Sequence, residues 1–80
     1  MTHLDPTWRI LASYETPEHN RCVDVFARTD GTFGFEEFRR DPEDMGVWYD
    51  VAYYAERSYD TQDAAERGAR ETIQWLRTTG

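Results

Sequence analysis

Apolar and polar positions along this chain predict strands first and a helix last. From Thr7 to Glu15, Trp8, Ile10, Ala12 and Tyr14 alternate with Arg9, Leu11, Ser13 and Glu15, the period-two signature of a half-buried strand. Thr16-Pro17-Glu18-His19-Asn20 ends it with turn chemistry. A second strand is expected over about Arg21 to Arg28, and a third beginning at Phe33, joined through Thr29-Asp30-Gly31. Gly31 suits the left-handed position of a three-residue loop with a bulge. That loop sets Val25 opposite Phe35, Ala27 opposite Phe33 and Val23 opposite Glu37, which gathers the apolar residues on one face. A two-residue Asp30-Gly31 turn would set Val25 against Glu36 and Asp24 against Glu37, and is the poorer choice. The preferred register places Asp24 opposite Glu36, a like-charge pair. It also places Phe26 opposite Gly34, where the ring can cover the glycine.

Arg39-Arg40-Asp41-Pro42-Glu43-Asp44-Met45-Gly46 reads as a charged loop. Val47 to Ala55 is rich in β-branched and aromatic residues, with Val47, Tyr49, Val51, Tyr53 and Ala55 in an apolar line, and is read as a fourth strand. A helix there would group Val47, Val51, Tyr54 and Ala55 instead. The last element is a helix capped by Asp60 or Thr61, with Asp63 in its first turn. Ala65, Gly68, Ala69, Thr72, Ile73 and Leu76 share one side at helical spacing, with Ala64 and Trp75 on its flank. Glu66 and Arg70 face solvent at the favourable i,i+4 spacing.

These elements predict an α+β fold: an antiparallel meander of three to four strands, then one helix across one face (β-β-β-β-α). Residues 1–80 form a single domain, with 1–6 and 78–80 frayed. One helix cannot cover both faces of such a sheet. The opposite face is therefore expected to expose Leu11, Cys22, Phe26, Phe38 and, with them, Trp48 and Tyr54, as an interface or ligand platform.

Composition narrows the function classes. Sixteen acidic residues against nine basic ones give a formal net charge of −7, and every basic residue is Arg. That balance argues against non-specific attraction to nucleic acid or to an anionic membrane. It fits a genome whose codons favour Arg over Lys, and permits a basic partner. Cys22 is the one cysteine, so no intrachain disulfide can form, as suits a reducing cytoplasm. No leader opens the chain, and no run approaches the ~20 apolar residues of a membrane span.

Candidate chemistry is sparse. Phe33-Gly34-Phe35-Glu36-Glu37-Phe38 resembles part of the ribonucleoprotein octapeptide, in which exposed aromatics stack on bases. It lacks the leading basic residue, carries Glu36 where Val belongs, and has no helix between the first strands. Three strands and a helix also resemble arm-binding domains of phage-type integrases, but Asp24, Glu36, Glu37 and Asp50 oppose contact with DNA. His19 and Cys22, with Asp24 nearby, fall short of a four-ligand zinc site. Asp41 to Gly46 has a passing likeness to a calcium loop but puts Met45 and Ala52 where ligands belong. Ser13, Ser58 and Cys22 sit in no nucleophile pattern with a His. Glu36 and Glu37 point to opposite faces of a strand. No catalytic, cofactor-binding or metal-ligating set emerges.

Gly31-Thr32-Phe33-Gly34-Phe35-Glu36-Glu37-Phe38-Arg39-Arg40-Asp41-Pro42-Glu43-Asp44, the following Gly46 and Trp48, and the Ala-rich helix ending Trp75-Leu76 resemble a group of short uncharacterised bacterial proteins. The resemblance covers about Trp8 to Leu76. It implies a small sheet-plus-helix domain and no activity. The expected function is a non-enzymatic acidic interaction module that self-associates, as a homodimer for example, or binds a protein partner. The expected surface is Leu11, Asp24, Phe26, Glu36, Phe38 and Trp48. A decoy for a basic nucleic-acid-binding protein, acting through Glu36, Glu37, Asp41, Glu43 and Asp44, is the alternative. Single-stranded nucleic-acid binding through Phe33 and Phe35 ranks below both.

Overall fold

The computed structural model describes residues 5–40, 46–52 and 54–79, with the main chain alone at 52, 78 and 79. The elements are β1 (Arg9–Glu15), β2 (Arg21–Ala27), β3 (Phe33–Arg40), β4 (Trp48–Ala52), a single 3-10 turn (Tyr54–Glu56), α1 (Gln62–Thr72) and α2 (Gln74–Thr79). The strands form one antiparallel sheet in the order β1-β2-β3-β4, and the helices follow. The α+β meander is therefore the fold.

The hairpin holds the register that the glycine implied. Gly31 has φ 89°, and Val25 pairs with Phe35, Ala27 with Phe33, and Val23 with Glu37. Asp30 supports the loop by accepting from the Thr32 amide at 3.0 Å and the Thr32 hydroxyl at 2.7 Å. The Thr32 hydroxyl and amide hold the Asp30 carboxyl below its ordinary range. Phe26 lies across Gly34 so closely that a Cβ there would meet its ring carbons at 2.9 Å.

Val23, Val25 and Phe35 are buried with Ala65, Ala69, Ile73 and Leu76 to form the main core. Thr61 is the N-cap of α1, its side chain accepting from the Ala64 amide at 3.0 Å. Alanines at the contact let α1 lie directly over β2 and β3. The expected single helix is broken at Ile73, whose backbone is extended (φ −107°, ψ 107°). The break buries Ile73 and Leu76 together, and it turns the Trp75 indole to donate to Glu37 Oε2 at 2.8 Å. Glu66 does not form the expected outward pair with Arg70. It accepts from the Tyr14 hydroxyl at 2.7 Å, and the i,i+4 pair that forms is Asp63–Arg67 at 3.2 Å.

Two bulges change the faces of the edge strands. In β1 the register shifts between Ile10 and Ala12. Ile10 then pairs with Phe26 on one face, while Ala12 and Tyr14 pair with Val25 and Val23 on the helix face. Period two does not run through this strand, because a bulge adds one residue to the alternation. In β4 the register shifts at Val51, and the strand ends at Ala52 rather than at Ala55. The chain then leaves the ladder because Glu36 accepts from the Tyr54 amide at 3.3 Å and the Ala55 amide at 3.2 Å. Tyr59 returns to bridge Phe33.

Asp5 accepts from the Thr7 amide at 2.8 Å and the Thr7 hydroxyl at 2.7 Å, and α2 runs to Thr79. Residues 1–4 and 80 lie outside the described residues, as do Asp41 to Met45 of the charged loop and Tyr53.

Candidate interaction surface

The face expected to be open is largely closed. Phe26 and Glu36 are 0% exposed and Phe38 is 2% exposed. Three of the six expected surface residues are therefore interior. The cause lies in residues just beyond the strand ends, which the sequence pattern places within the strands. Trp8 folds back and stacks on Phe26, with ring centroids 4.8 Å apart and planes 9° from parallel. Arg28 lays its guanidinium over Trp8 at 4.7 Å and over Phe26 at 5.1 Å.

The same guanidinium ties down the chain after β4. Nη2 donates to the carbonyls of Ala55 and Arg57, and Nη1 to the Phe33 carbonyl at 3.1 Å. Glu36 completes the clasp from β3 by accepting the Tyr54 and Ala55 amides, together with its own neighbour's amide at Glu37. Each contact to a charged group is stronger than a neutral hydrogen bond, and that offsets part of the cost of burial. The feared repulsion between Asp24 and Glu36 is relieved in the same way. The two residues pair across the strands, yet Asp24 takes its own donor, the Ser13 hydroxyl at 2.6 Å.

The remaining expected residues are half-buried and scattered. Leu11 sits at the β1 bulge and Asp24 lies within β2. Trp48 lies on β4 beneath the Arg40 guanidinium, 4.6 Å from its ring. The structure brings Asp24, Phe26, Glu36 and Phe38 together on neighbouring strands, but as interior residues or partly covered ones.

Exposure lies elsewhere. Val47 is 40% exposed, and Tyr49 and Val51 are each 38% exposed. All three belong to β4 or its entry, at the end of the strand order. Tyr49 pairs with Arg39, which lies on the helix side of β3 with Phe35 and Glu37. Tyr49 thus faces the helix side and stays uncovered because α1 lies over β2 and β3, while Val51 is the residue at the bulge. The alternation at Val47, Tyr49 and Val51 was visible in the sequence. Its exposure depends on where a three-turn helix comes to rest. At the other edge, Ile10 is 45% exposed.

The other candidate groups have local partners. Glu37 is 5% exposed and accepts from Trp75 and from Arg21 Nη1 at 3.3 Å, which fixes α2 to the sheet. Beside it lies a shallow groove of about 530 Å³ lined by Thr16, Arg21, Gln74 and Trp75. His19 Nδ1 contacts Glu15 at 2.9 Å, while Cys22 shares hydrogen bonds with Ser13 and Asp24. Burial pushes the Cys22 thiol up to about 11, with the Asp24 and Glu15 charges adding to it and the Ser13 hydrogen bond opposing. Such a thiol is inert at neutral pH. Phe35 is fully buried and Phe33 half-buried, so these rings form no stacking platform. The acidic set of Glu36, Glu37, Asp41, Glu43 and Asp44 loses its first two members to the interior, and the other three lie outside the described residues.

Comparisons with known protein families, curated proteins and solved structures find no match. No helix among the described residues is long and apolar enough to cross a membrane.

Proposed function

We propose that this chain is a non-enzymatic protein-interaction module that docks through β4 by adding a strand to the end of its sheet. The observation that carries the reading is the exposure of three apolar residues at the terminal strand, Val47 at its entry (40%) and Tyr49 and Val51 within it (38% each). A terminal strand with apolar side chains is a template for pairing with another chain unless it is blunted. The bulge at Val51 and the charge of Asp50 shorten that template but leave Tyr49 at its centre. Recognition by strand addition takes affinity from main-chain bonds and specificity from alternate side chains. A cytoplasmic setting, with a lone unreactive thiol, belongs to the same reading.

The test is the double substitution Val47→Lys with Val51→Lys. Both residues are exposed, so stability should change by no more than about 0.5 kcal/mol per site. Light scattering and quantitative capture, each compared with the unsubstituted chain, should show the loss of every stoichiometric associate. Associates retained in full by a folded double variant overturn the proposal.

A further inference from the structure

On the helix side of the sheet, past the end of the core, two arginines stand face to face. In the ladder between β2 and β3 the Arg28 amide donates to the Thr32 carbonyl at 2.8 Å, and the Arg40 amide to the Asn20 carbonyl at 2.9 Å. Hydrogen-bonded and non-hydrogen-bonded pairs alternate along an antiparallel ladder. Arg21 and Arg39 therefore form a pair of the close, non-hydrogen-bonded kind, with Cα atoms ~4.5 Å apart and side chains on one face. Like charges so placed repel. Glu37 relieves part of this, its Oε2 accepting from Arg21 Nη1 at 3.3 Å and from the Trp75 indole at 2.8 Å. Arg39 is exposed and meets no carboxylate among the described residues. Two guanidiniums and one carboxylate leave a single positive charge here, in a chain of net charge −7.

That charge borders the groove of about 530 Å³ lined by Thr16, Arg21, Gln74 and Trp75. Its walls are fixed by the fold. Thr16 closes β1 onto β2, its hydroxyl accepting from the Arg21 amide at 3.2 Å and its own amide donating to the Arg21 carbonyl at 3.0 Å. Arg21 and Trp75 share one carboxylate oxygen of Glu37, so guanidinium and indole are held side by side. The Arg21 side chain is still 41% exposed. Independently of strand addition at β4, we infer that this groove binds a monocarboxylate that carries an apolar group. The carboxylate lies between Arg21 and Arg39, and the apolar group lies against Trp75.

Charge and shape select this ligand class. A guanidinium fork matches the two oxygens of a carboxylate. One carboxylate balances the one charge that Glu37 leaves over. A phosphate ester, at about −1.5 to −2, would turn the site negative within a field that is already negative. The volume lies in the range of small-ligand sites, about 300–1,000 Å³. The groove is shallow, so binding rests on the charged end and the indole together. A free aromatic acid and the C-terminal carboxylate of a peptide ending in an aromatic residue present the same chemistry.

Titration by NMR, following the Trp75 indole N–H and the Arg21 and Arg39 side-chain N–H groups, tests the site. 3-Phenylpropionate should shift all three saturably, and its neutral amide, 3-phenylpropanamide, should not. Arg39→Gln, at an exposed position, should weaken binding about tenfold, the worth of one hydrogen bond between charged groups. Arg9→Gln removes the same charge at the opposite end of β1, beyond a screening length of about 10 Å, and should leave the affinity within about twofold. Absence of saturable shifts, equal shifts from the amide, or equal losses in the two variants overturns the site. Inorganic phosphate binding as tightly as 3-phenylpropionate overturns the monocarboxylate. A glycyl-glycyl-phenylalanine peptide with a free C-terminus separates the two sources. Binding tighter than that of 3-phenylpropionate assigns a chain end and weaker binding a free acid, and either upholds the carboxylate site.

Discussion

Phe26→Ala separates an open sheet face from a closed one. On an exposed face, truncating this ring would change stability by no more than about 0.5 kcal/mol. In the structure Phe26 is 0% exposed, stacked under Trp8 at 4.8 Å and flanked by Arg28 at 5.1 Å. Removing a buried phenyl ring costs about 3–5 kcal/mol through lost transfer energy and a residual cavity. Collapse of Trp8 into the space would bring the figure toward the lower end. A domain of eighty residues has about 4–12 kcal/mol of stability in all, so the variant should sit near the edge of folding. Its melting temperature should fall by more than about 10 °C. Urea unfolding followed by far-ultraviolet circular dichroism gives the free energy without relying on Trp8 as its own reporter. Trp8→Ala and the double variant complete a cycle whose coupling should be about 0.5–1.5 kcal/mol, the range for stacked rings. A cost below about 1 kcal/mol for Phe26→Ala, with no coupling to Trp8, would refute the closed face.

Other substitutions probe the clasp and the hairpin. Glu36→Ala removes the acceptor for the Tyr54, Ala55 and Glu37 amides and should cost about 3 kcal/mol or more, whereas Glu36→Gln, keeping one oxygen, should cost markedly less in the same denaturation assay. Gly34→Ala places a methyl 2.8 Å from Arg28 Nη2 and 2.9 Å from the Phe26 ring; it should cost about 1–3 kcal/mol alone and less in a Phe26→Ala background. Cys22 is held as the neutral thiol, so its contribution to stability is complete below about pH 9 and is lost as pH rises towards about 11, and alkylation by iodoacetamide should stay slow until that range is approached. Rapid alkylation of native protein near pH 8 would contradict the burial of that thiol.

Much of the fold could be read from particular residues. Gly31 demands a left-handed turn, the turn sets the hairpin register, and the register decides which phenylalanines join the helix. Thr61 caps α1 by the same local logic. The candidate surface was harder to read because its determinants are not periodic. A one-residue bulge at β1 leaves the composition of the strand unchanged and reverses the face of everything before it, so Trp8 and Ile10 left the helix side unannounced. Glu36 looks like a solvated acid, since its partners include backbone amides eighteen and nineteen residues away, and backbone amides have no sequence signature. Arg28 carries the same ambiguity, because the carbonyls of Phe33, Ala55 and Arg57 are among its partners. The exposure of Val47, Tyr49 and Val51 depends on α1 settling over β2 and β3, a matter of packing between elements distant in the chain.

The central claim is that β4 is the docking edge and that the chain, left without another partner, associates with a second copy there. Sedimentation equilibrium across a wide concentration range, on the unsubstituted chain and on Tyr49→Lys, tests it most directly. The mass of the unsubstituted chain should rise with concentration to that of two copies and stop there. Tyr49→Lys, at an exposed position, should stay a folded monomer throughout. A strict monomer at the highest concentration, growth past two copies, or a Tyr49→Lys variant that dimerises as well as its parent would contradict it.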